Sequence, residues 1–97
     1  MDYFDVKEWK RRYVVMKYDF KSGIRYVEFY KDKNWRKHLP KHVVNLQPGY
    51  EVSRIKNDPK KKYRFTIETT DHSLTLAPDD ENTMNEWIAT LEEYNVG

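Results

Sequence analysis

Apolar and polar positions alternate along most of this chain, and the alternation gives way to a helical period near its end. Residues 11–18 (RRYVVMKY) and 24–30 (IRYVEFY) are rich in β-branched and aromatic side chains and predict two strands. The intervening Asp19-Phe20-Lys21-Ser22-Gly23 carries turn chemistry, so the pair reads as an antiparallel hairpin. Residues 31–41 are too polar for burial and read as a loop closed by Pro40. A short strand follows at 42–46, ended by Gln47-Pro48-Gly49, and another at 50–55. After a loop at 56–61, residues 62–69 set Tyr63, Phe65 and Ile67 opposite Arg64, Thr66 and Glu68, the mark of a half-buried strand. Residues 73–77 (SLTLA) place Leu74 and Leu76 on one face.

Between Asp80 and Tyr94 the apolar residues are Met84, Trp87, Ile88 and Leu91, one stripe of an amphipathic helix. Asp79 or Asp80 can cap its start, and Asn95 and Gly97 supply a stop. Residues 3–7 offer a first strand, either joined to the next by a very tight turn or poorly formed. Residues 1–97 thus read as a single, mainly β domain with one C-terminal helix. An antiparallel sheet of seven strands, or six if the first is short, must fold on itself to bury its apolar face. The expectation is a barrel or sandwich with strands within about 3–77, its open end capped by a helix at about 80–94.

Composition narrows the chemistry. The 97 residues contain no cysteine, which excludes disulfides, thiol nucleophiles and cysteine-ligated zinc. No apolar run approaches roughly 18 residues and no leader has an apolar centre, so neither a membrane-spanning helix nor a signal peptide is expected, and a cytoplasmic setting is. The net charge of +2 conceals a strong segregation. Residues 1–42 carry 12 basic and 6 acidic side chains, residues 43–66 carry 6 and 2, and residues 67–97 carry 8 acidic and no Lys or Arg. If the last segment packs as one element, the molecule acquires a cationic pole suited to meeting an anionic surface. Catalysis finds no support: there are three glycines, no phosphate loop, and no metal-ligand spacing among His38, His42 and His72. No metal and no cofactor is expected.

The ordered set of motifs resembles a known family. Trp9-Lys10-Arg11-Arg12-Tyr13-Val14-Val15-Met16 resembles the W-K-x-R second strand of pleckstrin homology (PH) domains, and Val27-Glu28-Phe29-Tyr30-Lys31 their third. Residues 63–67 and 73–77 are similar to the sixth and seventh strands, and Trp87 with Leu91 to the family's helix. The loop Lys33-Asn34-Trp35-Arg36-Lys37 is similar to that of the insulin receptor substrate and Dok adaptors. The family's glycine-containing first strand and longer first loop are absent, since only eight residues precede Trp9. An unformed first strand would leave an edge through which a monomer could dimerise.

The resemblance implies a phosphoinositide site in which Lys7, Lys10 and Arg12 match the basic pattern, with Tyr30 in the position of a third-strand tyrosine. Alternation puts Lys10 and Arg12 on one strand face, where Arg12 can grip a phosphate with a planar fork and the lysines act as point charges. Lys31, Lys33, Arg36, Lys37 and Lys41 surround Trp35, whose indole is the candidate for a membrane interface. His72 is read as a solvated turn residue, with phosphate contact as the alternative, and Trp9 and Trp87 as packing residues. The leading expectation is a non-catalytic membrane-targeting or adaptor module, peripheral at a membrane, that binds phosphoinositides or other anionic lipid. The alternative is a protein-interaction domain for phosphotyrosine or acidic peptides with little lipid affinity. RNA binding ranks last, because the acidic terminal segment would repel a polyanion.

Overall fold

A computed structural model describes residues 1–55 and 60–96. Eight strands and one helix follow in order: β1 (Asp2–Asp5), β2 (Glu8–Arg11), β3 (Tyr13–Asp19), β4 (Ile24–Tyr30), β5 (His42–Leu46), β6 (Glu51–Ile55), β7 (Arg64–Glu68), β8 (Ser73–Ala77) and α1 (Glu81–Val96). A single turn of 3₁₀ helix, Trp35–Lys37, interrupts the long loop between β4 and β5. Four positions of the loop expected at 56–61, and Gly97 of the expected helix stop, lie outside the described residues.

The strands form two antiparallel sheets, one ordered β2-β1-β8-β7-β6 and the other β3-β4-β5. The sheets stay separate, so the fold is a sandwich rather than a closed barrel. The first strand exists: β1 pairs with β2 along its whole length and with β8 at Asp2 and Tyr3. The expected second strand is divided at Arg12, where the chain leaves one sheet and enters the other. Backbone bonds fix that corner, with the Arg12 N–H donating to the Met1 carbonyl at 3.0 Å.

Inward positions of both sheets meet in a core whose fully buried members include Val27, Phe29, Val44, Leu46, Phe65, Ile67 and Leu76. The helix closes one end of this core. Its predicted stripe is the buried one: Met84, Ile88 and Leu91 point inward, and Trp87 tilts against Phe65 with ring centroids 6.5 Å apart. Asp80 caps the start, its carboxylate accepting the Thr83 N–H at 2.7 Å. Asn95 does not end the helix; it lies within it and bridges to the β5–β6 turn, accepting from the Gly49 N–H at 2.6 Å and donating to the Tyr50 carbonyl at 2.8 Å.

Tyr50 lies beneath that bridge, 3% exposed, and its hydroxyl donates to the Leu91 carbonyl. Burial pushes this phenol up to about 12, against a small opposing pull from Arg25. A phenol whose folded pKa exceeds its unfolded one stabilises the fold below about pH 10 and loses that contribution as pH rises through about 12. Urea denaturation across this range, compared with Tyr50→Phe, should show the wild-type advantage over the variant shrinking as pH rises. A constant difference would contradict the buried-phenol account.

Candidate functional site

The corner at Arg12 and the β1–β2 hairpin together build a cationic concavity. The hairpin turns in two residues without a glycine. Lys7 N–H donates to the Asp5 carbonyl at 2.6 Å across Val6, whose φ of 57° lies in the left-handed region. That three-residue turn is a strained one for a β-branched residue, and it holds the hairpin tip at the rim of a cleft of about 450 Å³. Lys10 and Arg12 line the cleft from one side. Lys41 and His42 line it from the start of β5, and His72 from the β7–β8 turn.

Lys10 is shared with an acid inside the cleft. Its ammonium lies 2.6 Å from the Asp5 carboxylate, and this hydrogen bond holds Asp5 below and Lys10 above their ordinary values. His42 and Arg12 add smaller pulls on Asp5 in the same direction. Arg12 makes no ion pair among the described residues: one Nη donates to the Arg11 carbonyl at 2.8 Å, and its shielded Nε has no hydrogen-bond partner. The cleft thus gathers one guanidinium, two ammonium groups and two imidazoles, with one of the ammonium groups paired to Asp5.

Two nearby cations, Arg11 and Lys61, are paired with acids. Arg11 grips Asp79 with both Nη atoms at 2.5 Å and also reaches Asp2 at 3.4 Å. That fork holds Asp79 below the usual carboxylate range and raises Arg11. Lys61 pairs with Asp2 at 2.5 Å and lies 5.4 Å from the Trp9 ring. No residue of α1 lines the cleft, so the acidic helix stays off it, although the Arg11–Asp79 pair bridges the two charge territories at one point.

Of the residues singled out from sequence, Lys10 and Arg12 converge in the cleft. Lys7 sits exposed on the hairpin tip without lining it. Tyr30 lies elsewhere. It is 2% exposed on the outer face of the three-stranded sheet, where its hydroxyl donates to Glu28 at 2.8 Å and accepts from Lys17 at 3.2 Å. Trp35 folds back over Tyr30, ring centroids 5.5 Å apart, with Lys17 and Arg36 against the indole at 4.9 and 4.7 Å. Lys33, Arg36 and Lys37 remain exposed on this loop, outside the cleft. From sequence alone Lys41 groups with the loop cations around Trp35, His42 carries no binding role and His72 reads as a solvated turn residue; the structure brings all three to the cleft. Their one local signal is that a Lys-His pair directly follows Pro40 at the start of a strand.

A family model described as PH domain matches residues 3–94 of the chain. No curated protein matched, and no solved structure did.

Strain at the hairpin tip gives a direct check on this geometry. Left-handed backbone costs a non-glycine residue about 1–2 kcal/mol, and glycine gives back about 0.5–1 kcal/mol in unfolded-chain entropy. Val6→Gly should therefore raise stability by about 0.5–1 kcal/mol in chemical denaturation. A clear loss of stability would mean that Val6 is not held at positive φ.

Proposed function

Because the chain belongs to the PH domain family, a family of non-catalytic modules that bind lipids or proteins, we propose that its cationic cleft takes the phosphorylated headgroup of a membrane phosphoinositide. The observation that carries this reading is the convergence of Lys10, Arg12, Lys41, His42 and His72 from three separate segments on one open concavity. Arg12 supplies the planar fork for one phosphate, and Lys41 supplies a point charge beside it. Lys10 exchanges Asp5 for the ligand, so Asp5 sets a threshold that a singly charged anion does not pass and a polyphosphate does.

Exposed apolar side chains suit a bilayer as the source of that phosphate. Val6, which lines the cleft, is 83% exposed at the hairpin tip, and Leu39 is 89% exposed two residues before Lys41. In this reading both enter the interface while the headgroup fills the cleft. Lys7, Lys33, Arg36 and Lys37 stand outside and add attraction to an anionic leaflet, at about 1 kcal/mol each. Trp35, clasped to Tyr30, braces this loop, and Leu39 is the apolar contact it offers. No helix among the described residues is long and apolar enough to cross a membrane. The domain in this reading is a targeting or adaptor module held peripherally on a cytoplasmic leaflet.

Vesicle sedimentation tests the reading. Phosphatidylcholine vesicles carrying phosphatidylinositol bisphosphate should pellet the protein at low salt, and plain phosphatidylcholine vesicles should not. Arg12→Ala should weaken binding about tenfold or more, whereas Lys37→Ala should weaken it about fivefold or less. Equal sedimentation on both vesicle types, or indifference to Arg12→Ala, would overturn it.

A further inference from the structure

A groove lies between α1 and the β3–β4 hairpin. Two adjoining clefts, of about 480 and 310 Å³, share Arg25 and Thr90 and so form one groove. None of its lining residues belongs to the cationic cleft.

Arg25 is the basic residue in this groove, and aromatic rings hold it. Its guanidinium carbon lies 5.3 Å from the Tyr18 ring and 4.9 Å from the Tyr94 ring. Tyr94 is itself fixed, because its hydroxyl donates to the Leu46 carbonyl at 2.9 Å and accepts the Arg25 N–H at 3.3 Å. Tyr94 also stacks on buried Tyr50, with centroids 6.1 Å apart and planes 23° apart. Among the described residues no carboxylate forms an ion pair with Arg25, and its shielded Nε has no hydrogen-bond partner. A guanidinium packed against two rings that meet each other edge-to-face, centroids 6.4 Å apart, has given up rotamer freedom before any ligand arrives, and its donor fork matches a carboxylate.

Two neighbours define what kind of anion fits. Glu86 and Glu93 line the same groove and would repel a phosphate dianion more than a single carboxylate. They also make this face a poor match for an anionic bilayer. Phe20, 89% exposed and outside the groove's lining, stands edge-on at 5.0 Å to Tyr18, which does line it, an exposed aromatic of the type that concentrates binding energy between proteins. We propose that this groove docks a segment of a partner protein, with an Asp or Glu carboxylate on Arg25 and an apolar side chain against Phe20 and Tyr18. Its residues are separate from the cationic cleft, so both surfaces can be occupied at once. The proposal does not depend on what the cleft binds.

Amide-resolved NMR titration of the intact chain with acetyl-Leu-Asp-Phe-Leu-amide, and with the same peptide carrying Asn for Asp, tests it. The Asp peptide should shift amides at residues 18–20, 24–26 and 90–94, and the Asn peptide should bind about tenfold more weakly. Arg25→Gln should reproduce the loss. Phe20→Ser, at an exposed position that leaves the core intact, should weaken binding of the Asp peptide without altering the unliganded spectrum beyond its neighbours. Equal binding of the two peptides, shifts confined to the Lys10–Arg12 cleft, or no shifts with either peptide would overturn the proposal. Loss of vesicle binding on Phe20→Ser would do so as well, by assigning this face to lipid.

Discussion

The rest of the structure depends on the corner at Arg12, where one continuous run of residues serves both sheets. Before the corner, β2 pairs with β1 in the five-stranded sheet; after it, β3 pairs with β4 in the three-stranded one. This joint turns two sheets into a sandwich on one side, and the buried faces that meet behind it bring Tyr3 onto Phe29 with ring centroids 4.5 Å apart. The same corner turns the Lys10 and Arg12 side chains into one cleft although they stand on either side of a bend. Fold and candidate site are therefore consequences of one backbone feature.

Charge is arranged by commitment more than by count. Arg11, Lys17 and Lys61 carry as much charge as their neighbours, yet each is matched to a carboxylate within 2.6 Å. Such pairs on a half-exposed surface contribute little net stability and mainly fix side-chain positions. What remains for a ligand is the set around Arg12, tempered by Asp5. On the opposite face Arg25 is held by rings in place of an acid, which keeps it both ordered and uncommitted.

Much of the fold was legible because period and turn chemistry are local. The β3–β4 hairpin followed from its β-branched and aromatic runs around Gly23, and the helix from the Met84, Trp87, Ile88 and Leu91 spacing. The first strand was ambiguous because its turn has no glycine; Val6 adopts a backbone that sequence rules assign to other residues. The break at Arg12 was hidden because alternation runs unchanged through a bend set by partners far along the chain. The site divides in the same way. Alternation and family resemblance pointed to Lys10 and Arg12, whereas Lys41, His42 and His72 reach the cleft only through tertiary packing. Tyr30 shows the converse: a residue of suitable chemistry whose hydroxyl is taken up by Glu28 and Lys17 on the other face.

The proposed polyphosphate site is the cleft behind the Arg12 corner. Titration of the isotopically labelled protein with soluble inositol trisphosphate, followed residue by residue by NMR, tests that most directly. Saturable shifts are expected to cluster at residues 5–12, 41–43 and 71–74, three stretches that only the folded chain brings together. Shifts confined to the loop at residues 31–37, or their absence throughout, would contradict it.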